Sequence, residues 1–425
     1  MPKLLFIVIN TKSMKHYNFK KRYSHIQLLF LIFLISIINN SCGQNSGRDK
    51  LTDKYYVAAY VWPSCHHDER FGDMLWPEGI GEWEVIKKGN PRFPGHYQPK
   101  VPLWGYELDN DPGVWERWID VATDHGVNVF IFDWYWFDEG PFLESALNDG
   151  FLKASNNDKM EFYVMWANHD VRRNYWNVHE YGDDTSILWE GPVNLENFEK
   201  VADRVINQYF IKSNYFKIDG EPVFHVFSPD NLVRGLGGLD QTRDALEYFR
   251  ERTREAGFPG LHIQFRPGGG MEPTLLGNVN SEGKNVNEIV DHLGINSITK
   301  YNWGHGEDYL RLGTETMEKR DRMDSVFDIP VFPNVSIGWD DTPRFPHKGK
   351  EHVTYYNKTP ESFAAFLQKA KNYCDERPDQ PNLITLFSWN EWVEGSYLLP
   401  CVKYGFQHLE AVRRVISENY DPYSN

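Results

Sequence analysis

The chain has 425 residues, a formal net charge of −15 and 15% aromatic residues, among them 15 Trp and 23 Tyr. No Lys/Arg-rich stripe runs through its main part, and an acidic chain without clustered cations cannot neutralise a phosphate backbone, so nucleic-acid binding is excluded. About 375 residues follow the N-terminal segment, enough for one large domain.

The first segment reads as a targeting signal. Lys20-Lys21-Arg22 precede the apolar run Ile26–Ile38, which is too short for a permanent membrane helix and suits a signal h-region. Met14-Lys15 offers an alternative start with a more usual n-region. Asn39-Asn40-Ser41-Cys42-Gly43 closes the run, so residues 1–41 are expected to be a lipoprotein-type signal peptide, with Cys42 lipidated and residues 42–54 a polar tether. The expected location is exported, at the cell surface or in the periplasm as a lipoprotein of the outer membrane. The only membrane contact expected is that lipid anchor.

From residue 55 onward, short apolar runs alternate with longer amphipathic stretches. The strand-like runs are Tyr55–Tyr60, Val127–Asp133, Phe162–Trp166, Val223–Phe227, Leu261–Phe265, Ser297–Lys300, Val331–Ile337 and Leu383–Ser388. The helix-like stretches are Pro112–His125, Phe142–Ala154, Leu195–Ser213, Gln241–Ala256, Asn285–Leu293, Asp308–Phe327, Pro360–Glu376 and Gly405–Glu418. Gly126 and Gly257 stand where left-handed caps would end helices. Eight β units, each followed by a helical stretch, predict a single α/β domain over residues 55–425, a (β/α)8 TIM-type barrel with elaborated βα loops. An open doubly wound sheet would show a Gly-rich phosphate turn after its first strand. Here that strand runs into Val61-Trp62-Pro63-Ser64-Cys65-His66. Gly268-Gly269-Gly270 lacks a following helix signal and reads as a loop.

In such a barrel the chemistry sits at the C-terminal ends of the strands. Those ends supply Tyr60 and Trp62, Asp133 and Trp134, Trp166 and Asn168, His225, Arg266, Tyr301 and Trp303, Asn334, and Asn390, most of them expected to surround one substrate cleft. Trp166 in particular is expected to be a sugar platform whose loss weakens binding more than folding. Asp340-Asp341 reads as a solvated turn. His66-His67 could begin a metal site, but no third ligand is identifiable, and neither metal nor cofactor is expected.

The most informative segment is Leu386-Phe387-Ser388-Trp389-Asn390-Glu391-Trp392-Val393-Glu394-Gly395-Ser396. If the strand continued, Glu391 and Glu394 would point to opposite faces. If the chain turns after Trp389, both can enter one cavity. Two carboxyls among aromatics are what glycoside hydrolysis requires: one group gives a proton to the leaving oxygen, and the other serves as base or nucleophile. As acid, Glu394 is expected to have a raised pKa. As base, Glu391 is expected to sit near hydrogen-bond donors or a cation.

Gly81-Glu82-Trp83-Glu84-Val85, Phe93-Pro94-Gly95-His96-Tyr97-Gln98-Pro99, Val164-Met165-Trp166-Ala167-Asn168 and Trp389-Asn390-Glu391-Trp392-Val393-Glu394-Gly395 together resemble the WbsX-type proteins, which are similar to family 99 glycoside hydrolases, the endo-α-mannosidases and mannanases. The resemblance implies a (β/α)8 fold and a retaining mechanism. In it Glu391 draws a proton from the substrate 2-hydroxyl, which attacks the anomeric carbon, and Glu394 is the acid/base. Val393 stands where the mannose enzymes often carry His, and Asn168-His169-Asp170 stands where relatives tend to carry Glu-Asn-Trp, so the sugar subsite is expected to differ. The WbsX group has been labelled glycosyltransferase, yet a sugar-nucleotide donor is scarce outside the cytoplasm and no phosphate-cradling motif is present. The expected function is therefore a retaining α-glycoside hydrolase acting on a polysaccharide or glycan. The alternatives are a non-catalytic carbohydrate-binding barrel and a WbsX-like transferase.

Three cysteines remain after Cys42. Strands one and eight adjoin when the sheet closes, so Cys65 and Cys401 are the expected disulfide, with Cys374 a buried free thiol.

Overall fold

The computed structural model describes residues 54–137, 139–268, 274–277 and 281–417. The expected signal peptide, the expected tether up to residue 53 and Cys42 lie outside the described residues. The core is a parallel sheet of β1 (Tyr56–Val61), β2 (Val129–Phe137), β3 (Glu161–Trp166), β4 (Glu221–Val226), β5 (His262–Phe265), β6 (Ser297–Thr299), β7 (Val331–Phe332 and Asn334–Ser336) and β8 (Leu383–Phe387). Each strand pairs with the next, and β8 returns to pair with β1. The two halves of β7 flank Pro333: the first pairs with β6 and the second with β8. Proline has no N–H to give the ladder, so a break there is expected. Around this break the nine parallel segments form a nearly closed TIM-like α/β barrel.

The helices on the outside are α1 (Pro112–Asp124), α2 (Leu195–Val205), α3 (Leu239–Glu255), α4 (Val286–Leu293), α5 (Tyr309–Val326), α6 (Pro360–Asp375) and α7 (Gln407–Ile416). Their starts are set by local chemistry. Asp111 and Thr359 accept backbone N–H groups ahead of Pro112 and Pro360, and Asn285 forms a capping box with Glu288. Gly126 and Gly257 have φ of +88° and +97°, as left-handed caps require. The predicted helix over 142–154 is instead a short hairpin strand, Gly140–Phe142, followed by helical turns at Ala146–Gly150 and Phe151–Lys153.

Strand alternation decides which side chains meet which layer. All nine residues of β2 are buried, as for a strand covered on both faces. Phe130 and Phe132 pack on Trp115 of α1 and on Phe151. The barrel interior is polar: Tyr163 bonds Gln264 at 3.3 Å, and Thr299 bonds Thr385 at 3.0 Å.

Candidate active site

After β8 the chain does turn. The peptide Phe387–Ser388 is cis. Ser388 Oγ donates to the Ser396 carbonyl at 2.6 Å and accepts the Glu391 N–H at 2.8 Å. Asn390–Glu391 pairs antiparallel with Ser396–Tyr397, and Trp392–Glu394 forms one tight helical turn between them. Gly395 closes it at φ +65°, and a Cβ there would lie 2.6 Å from the Asp340 Cβ. Only glycine suits both demands. This hairpin buries both carboxylates: Glu391 is 1% exposed and Glu394 6%.

The two glutamates interact directly, and each has a separate anchor. Tyr301 donates its hydroxyl toward Glu391 Oε2 at 2.8 Å and lies 2.6 Å from Asp133 Oδ2. Arg344 donates to Glu394 at 2.8 Å and to Glu82 at 3.0 Å. Its guanidinium also lies 3.8 Å from the centre of the Tyr175 ring. Glu82 receives the Trp62 indole N–H at 2.5 Å and the Ser64 hydroxyl at 2.9 Å. Trp62 stacks on Trp176. The chain Trp62–Glu82–Arg344–Glu394 is buried and each member is hydrogen-bonded to the next, the condition under which buried charge is tolerated.

Burial raises the pKa of both glutamates. Glu391 is pushed well above the carboxylate range by burial, then by the charges of Glu394 and Asp133. Glu394 is raised by burial to about 7, with Arg344 and a hydrogen bond to Glu391 holding it lower than burial alone would. Asp133 is raised well above its usual value by burial and by Glu394. Burial would lower the Arg344 guanidinium, but Tyr175, Glu82 and Glu394 keep it firmly charged. The raised pKa expected of Glu394 is present. Of the hydrogen-bond donors or cation expected at Glu391, the structure supplies a donor, the Tyr301 phenol, while the cation contacts Glu394. Two like carboxyls in one low-dielectric site share protons at neutral pH, which supplies an acid and a base together.

Several sequence-predicted residues converge here. Tyr60 lies against Tyr301 at 4.8 Å between ring centres, with His225 3.5 Å from its hydroxyl. Burial and then Arg266 depress the His225 imidazole to about 3, so it is neutral. Asn334 bonds the Tyr301 carbonyl at 3.0 Å. Arg266 spreads over the Phe227 ring at 4.0 Å and bonds its carbonyl. Asn390 belongs to the site as a clamp: its amide bonds both the N–H and the carbonyl of Trp62 at 2.8 Å, tying β8 to β1.

Others do not converge. Asp133 points inward, so Trp134 points outward, where its indole bonds Glu144 at 2.7 Å among the helices. Trp166 pairs in register with Trp134, faces the same way and packs on Phe198 of α2 and on Phe224. It is core. Trp303 packs on Tyr309 and Phe366 of α5 and α6. Asn168 holds Ser228 by its N–H and carbonyl, fixing one loop to the next. The predicted Cys65–Cys401 bridge is absent: Cys65, Cys374 and Cys401 are all buried free thiols. Cys65 sits on Asp109, and Cys401 on Pro102 and Tyr404. His66 is paired with Asp109 at 2.6 Å, and no metal-ligand cluster is found among the described residues.

The Asp340-Asp341 turn is not solvated. Asp340 is buried and accepts His96 at 2.9 Å, Gln98 at 2.8 Å and Lys100 at 2.5 Å. Its backbone N–H bonds the Glu394 carbonyl at 2.6 Å. Burial would raise the Asp340 pKa, but Lys100 and His96 outweigh it and hold the carboxyl far below its usual range. Asp341 pairs with Arg92 and Lys348. The Phe93–Pro99 block is thus a clamp on the carbonyl of Glu394 through Asp340.

Glu82, Arg344, Tyr175 and Trp176 were not singled out as site residues. Glu82 lay inside a recognised block without a role. Arg344 follows a turn with no motif around it, and no periodicity places it opposite Glu394. Tyr175 also forms one wall of a cavity of about 220 Å3, with Asn174, Phe345 and Lys348 among its lining.

The model of a family described as Glycosyltransferase WbsX matches residues 57–412. Two curated relatives, both described as Uncharacterized protein WxcX and from Xanthomonas campestris pv. campestris strains B100 and ATCC 33913, are 24% identical over 382 residues. The match covers 86% of this chain and 50% of each relative, so the chain spans about half the length of the curated relatives it matches. Among solved structures, the GH99 endo-alpha-mannosidase from Bacteroides thetaiotaomicron is similar with a TM-score of 0.53 at 11% identity, covering 85% of this chain and 96% of that one. A glycoside hydrolase-like protein gives 0.54 at 15% identity, covering 89% and 98%. At these identities the likeness is one of fold.

Proposed function

Since the chain belongs to the WbsX family, and since its barrel resembles those of glycoside hydrolases, we propose that it is a retaining α-glycoside hydrolase acting on a polysaccharide or glycan. The observation that carries this reading is the pair Glu391 and Glu394, buried together at the C-terminal end of β8 and both titrating above the ordinary carboxylate range. Glu394 with a pKa about 7 is protonated often enough to act as acid, and Arg344 stabilises the carboxylate left behind. Glu391, in the fraction of molecules where it is ionised, takes the proton of the substrate 2-hydroxyl. The oxygen so freed bonds to the anomeric carbon while the bond to the leaving oxygen breaks and Glu394 protonates that oxygen. Water then opens the three-membered ring from the opposite face, with Glu394 now acting as base, and the proton held by Glu391 returns to the 2-oxygen. Two inversions give net retention.

Within this reading the protein acts outside the cytoplasm, carried there by residues 1–41 and held by lipid on Cys42. The test is hydrolysis of a polysaccharide panel by the purified protein, with the anomeric form of the first product read by NMR. Glu391→Gln and Glu394→Gln should each lower kcat/KM by about 10²–10⁴. Binding without cleavage, unaffected by either variant, would instead identify a sugar-binding barrel. Sugar transfer from a nucleotide donor, in line with the family's description, would replace the hydrolase reading.

A further inference from the structure

Tyr301 stands between two carboxyls, 2.6 Å from Asp133 Oδ2 and 2.8 Å from Glu391 Oε2. Both are hydrogen-bond distances, yet a phenol has one proton to give and an ionised carboxylate has none. Were both carboxyls ionised, one would face the hydroxyl oxygen with no proton between them, in a buried site where such a contact is strongly unfavourable. One of the two therefore carries a proton. The surroundings decide which. Asp133 Oδ1 is buried and has no hydrogen-bond partner among the described residues. Burial and the Glu394 charge act against ionising either carboxyl, and of the two Glu391 alone feels an opposing cation, Arg344.

We propose that Asp133 is the proton-holding partner of Glu391, and that the Tyr301 hydroxyl relays between them. Asp133 donates to the Tyr301 oxygen, Tyr301 donates to Glu391, and Glu391 is thereby left ionised as the base. The relay is balanced. If Glu391 Oε2 holds the proton, its transfer to the Tyr301 oxygen accompanies transfer of the Tyr301 proton to Asp133 Oδ2. Two O–H bonds break, two form, and no net charge appears. The other groups facing this chain are Glu394 and Arg344, with the phenols of Tyr60, Tyr135 and Tyr175. Asp133 is thus a positioning residue, acting through Tyr301, rather than a sugar ligand. The kinetic consequence rests on the hydrolase reading; the location of the proton does not.

Infrared titration of protein carrying 13C-labelled aspartate tests this without any substrate. At pH 7 the wild type should show a hydrogen-bonded protonated aspartate band. Asp133→Asn should abolish it, and Tyr301→Phe should shift it toward the frequency of an unbonded acid. In kinetics, Tyr301→Phe removes the donor that favours ionised Glu391, so the acidic limb of kcat/KM should move up by about one pH unit. A merely structural tyrosine would lower activity without moving the limb. A wild-type spectrum with no protonated aspartate at pH 7 overturns the proposal, as does a band that survives Asp133→Asn. Should that variant fail to fold, the wild-type and Tyr301→Phe spectra still decide. A positive infrared result with no polysaccharide cleaved would refute the hydrolase reading and leave the relay standing.

Discussion

Glu391 illustrates how a single residue is set by its surroundings. Its side chain has no cation in direct contact among the described residues, and burial with two neighbouring carboxyls pushes its pKa well above 4.5. For a carboxyl the sign follows from linkage: a raised folded pKa means the folded state is relatively favoured while the group is protonated, and that advantage is lost as pH rises through the folded value. Glu391→Gln should therefore match the wild type in stability near pH 4 and exceed it at pH 8, by about 1 kcal/mol or more. Denaturant unfolding at the two pH values reads this directly. A variant equally less stable at both would show that Glu391 carries no such strain. The sequence identified this residue and its partner because a Glu-x-x-Glu spacing framed by Trp389 and Trp392 is visible in one dimension. It could not show Arg344, whose role exists only because the loops after β7 and β8 meet.

At the scale of elements, strand alternation separates the aromatics by role. Trp134 and Trp166 end neighbouring strands, as the sequence indicated, but in parallel register both face the helices. Trp166→Ala should cost about 3–5 kcal/mol of stability and leave KM for substrate unaltered in the folded fraction, the reverse of the platform expectation. Chemical denaturation and steady-state kinetics on the same preparation separate the two effects. The hairpin after β8 is equally specific. Gly395→Ala places a Cβ against Asp340 on a left-handed backbone, which should cost about 1–3 kcal/mol and lower kcat/KM by displacing Glu394. Intact kinetics in that variant would mean the turn can relax without moving its carboxylate.

For the molecule as a whole, distant segments meet on Asp340. His96, Gln98 and Lys100 come from the long connection between β1 and β2, and Asp340 itself comes from the loop after β7. Removing one partner from such a buried cluster leaves uncompensated charge, so Asp340→Asn should destabilise the protein by about 3–5 kcal/mol at pH 7. The Asp340 pKa is lowered on folding, so its stabilisation is present above the unfolded value of about 3.8 and is lost as pH falls below it. The gap between variant and wild type should therefore narrow in acid. A gap independent of pH would assign the effect to packing rather than to charge.

The sequence by itself determined the eight strands, nearly all of the helices between them and the carboxylate pair, because those depend on periodicity, capping chemistry and short spacings that neighbouring residues settle among themselves. The β1–β8 closure was legible too, since eight βα units leave the chain little choice but a ring. Only the tertiary structure decided which face of a strand end a tryptophan takes, that Cys65 and Cys401 remain free thiols, and that a turn rich in aspartate is buried under lysine and histidine. The physical reason is the same in each case. Side-chain direction beyond the last ladder hydrogen bond depends on loop packing. The cost of burying a charge is likewise fixed by partners up to 262 positions away in the chain, as Glu82 and Arg344 are.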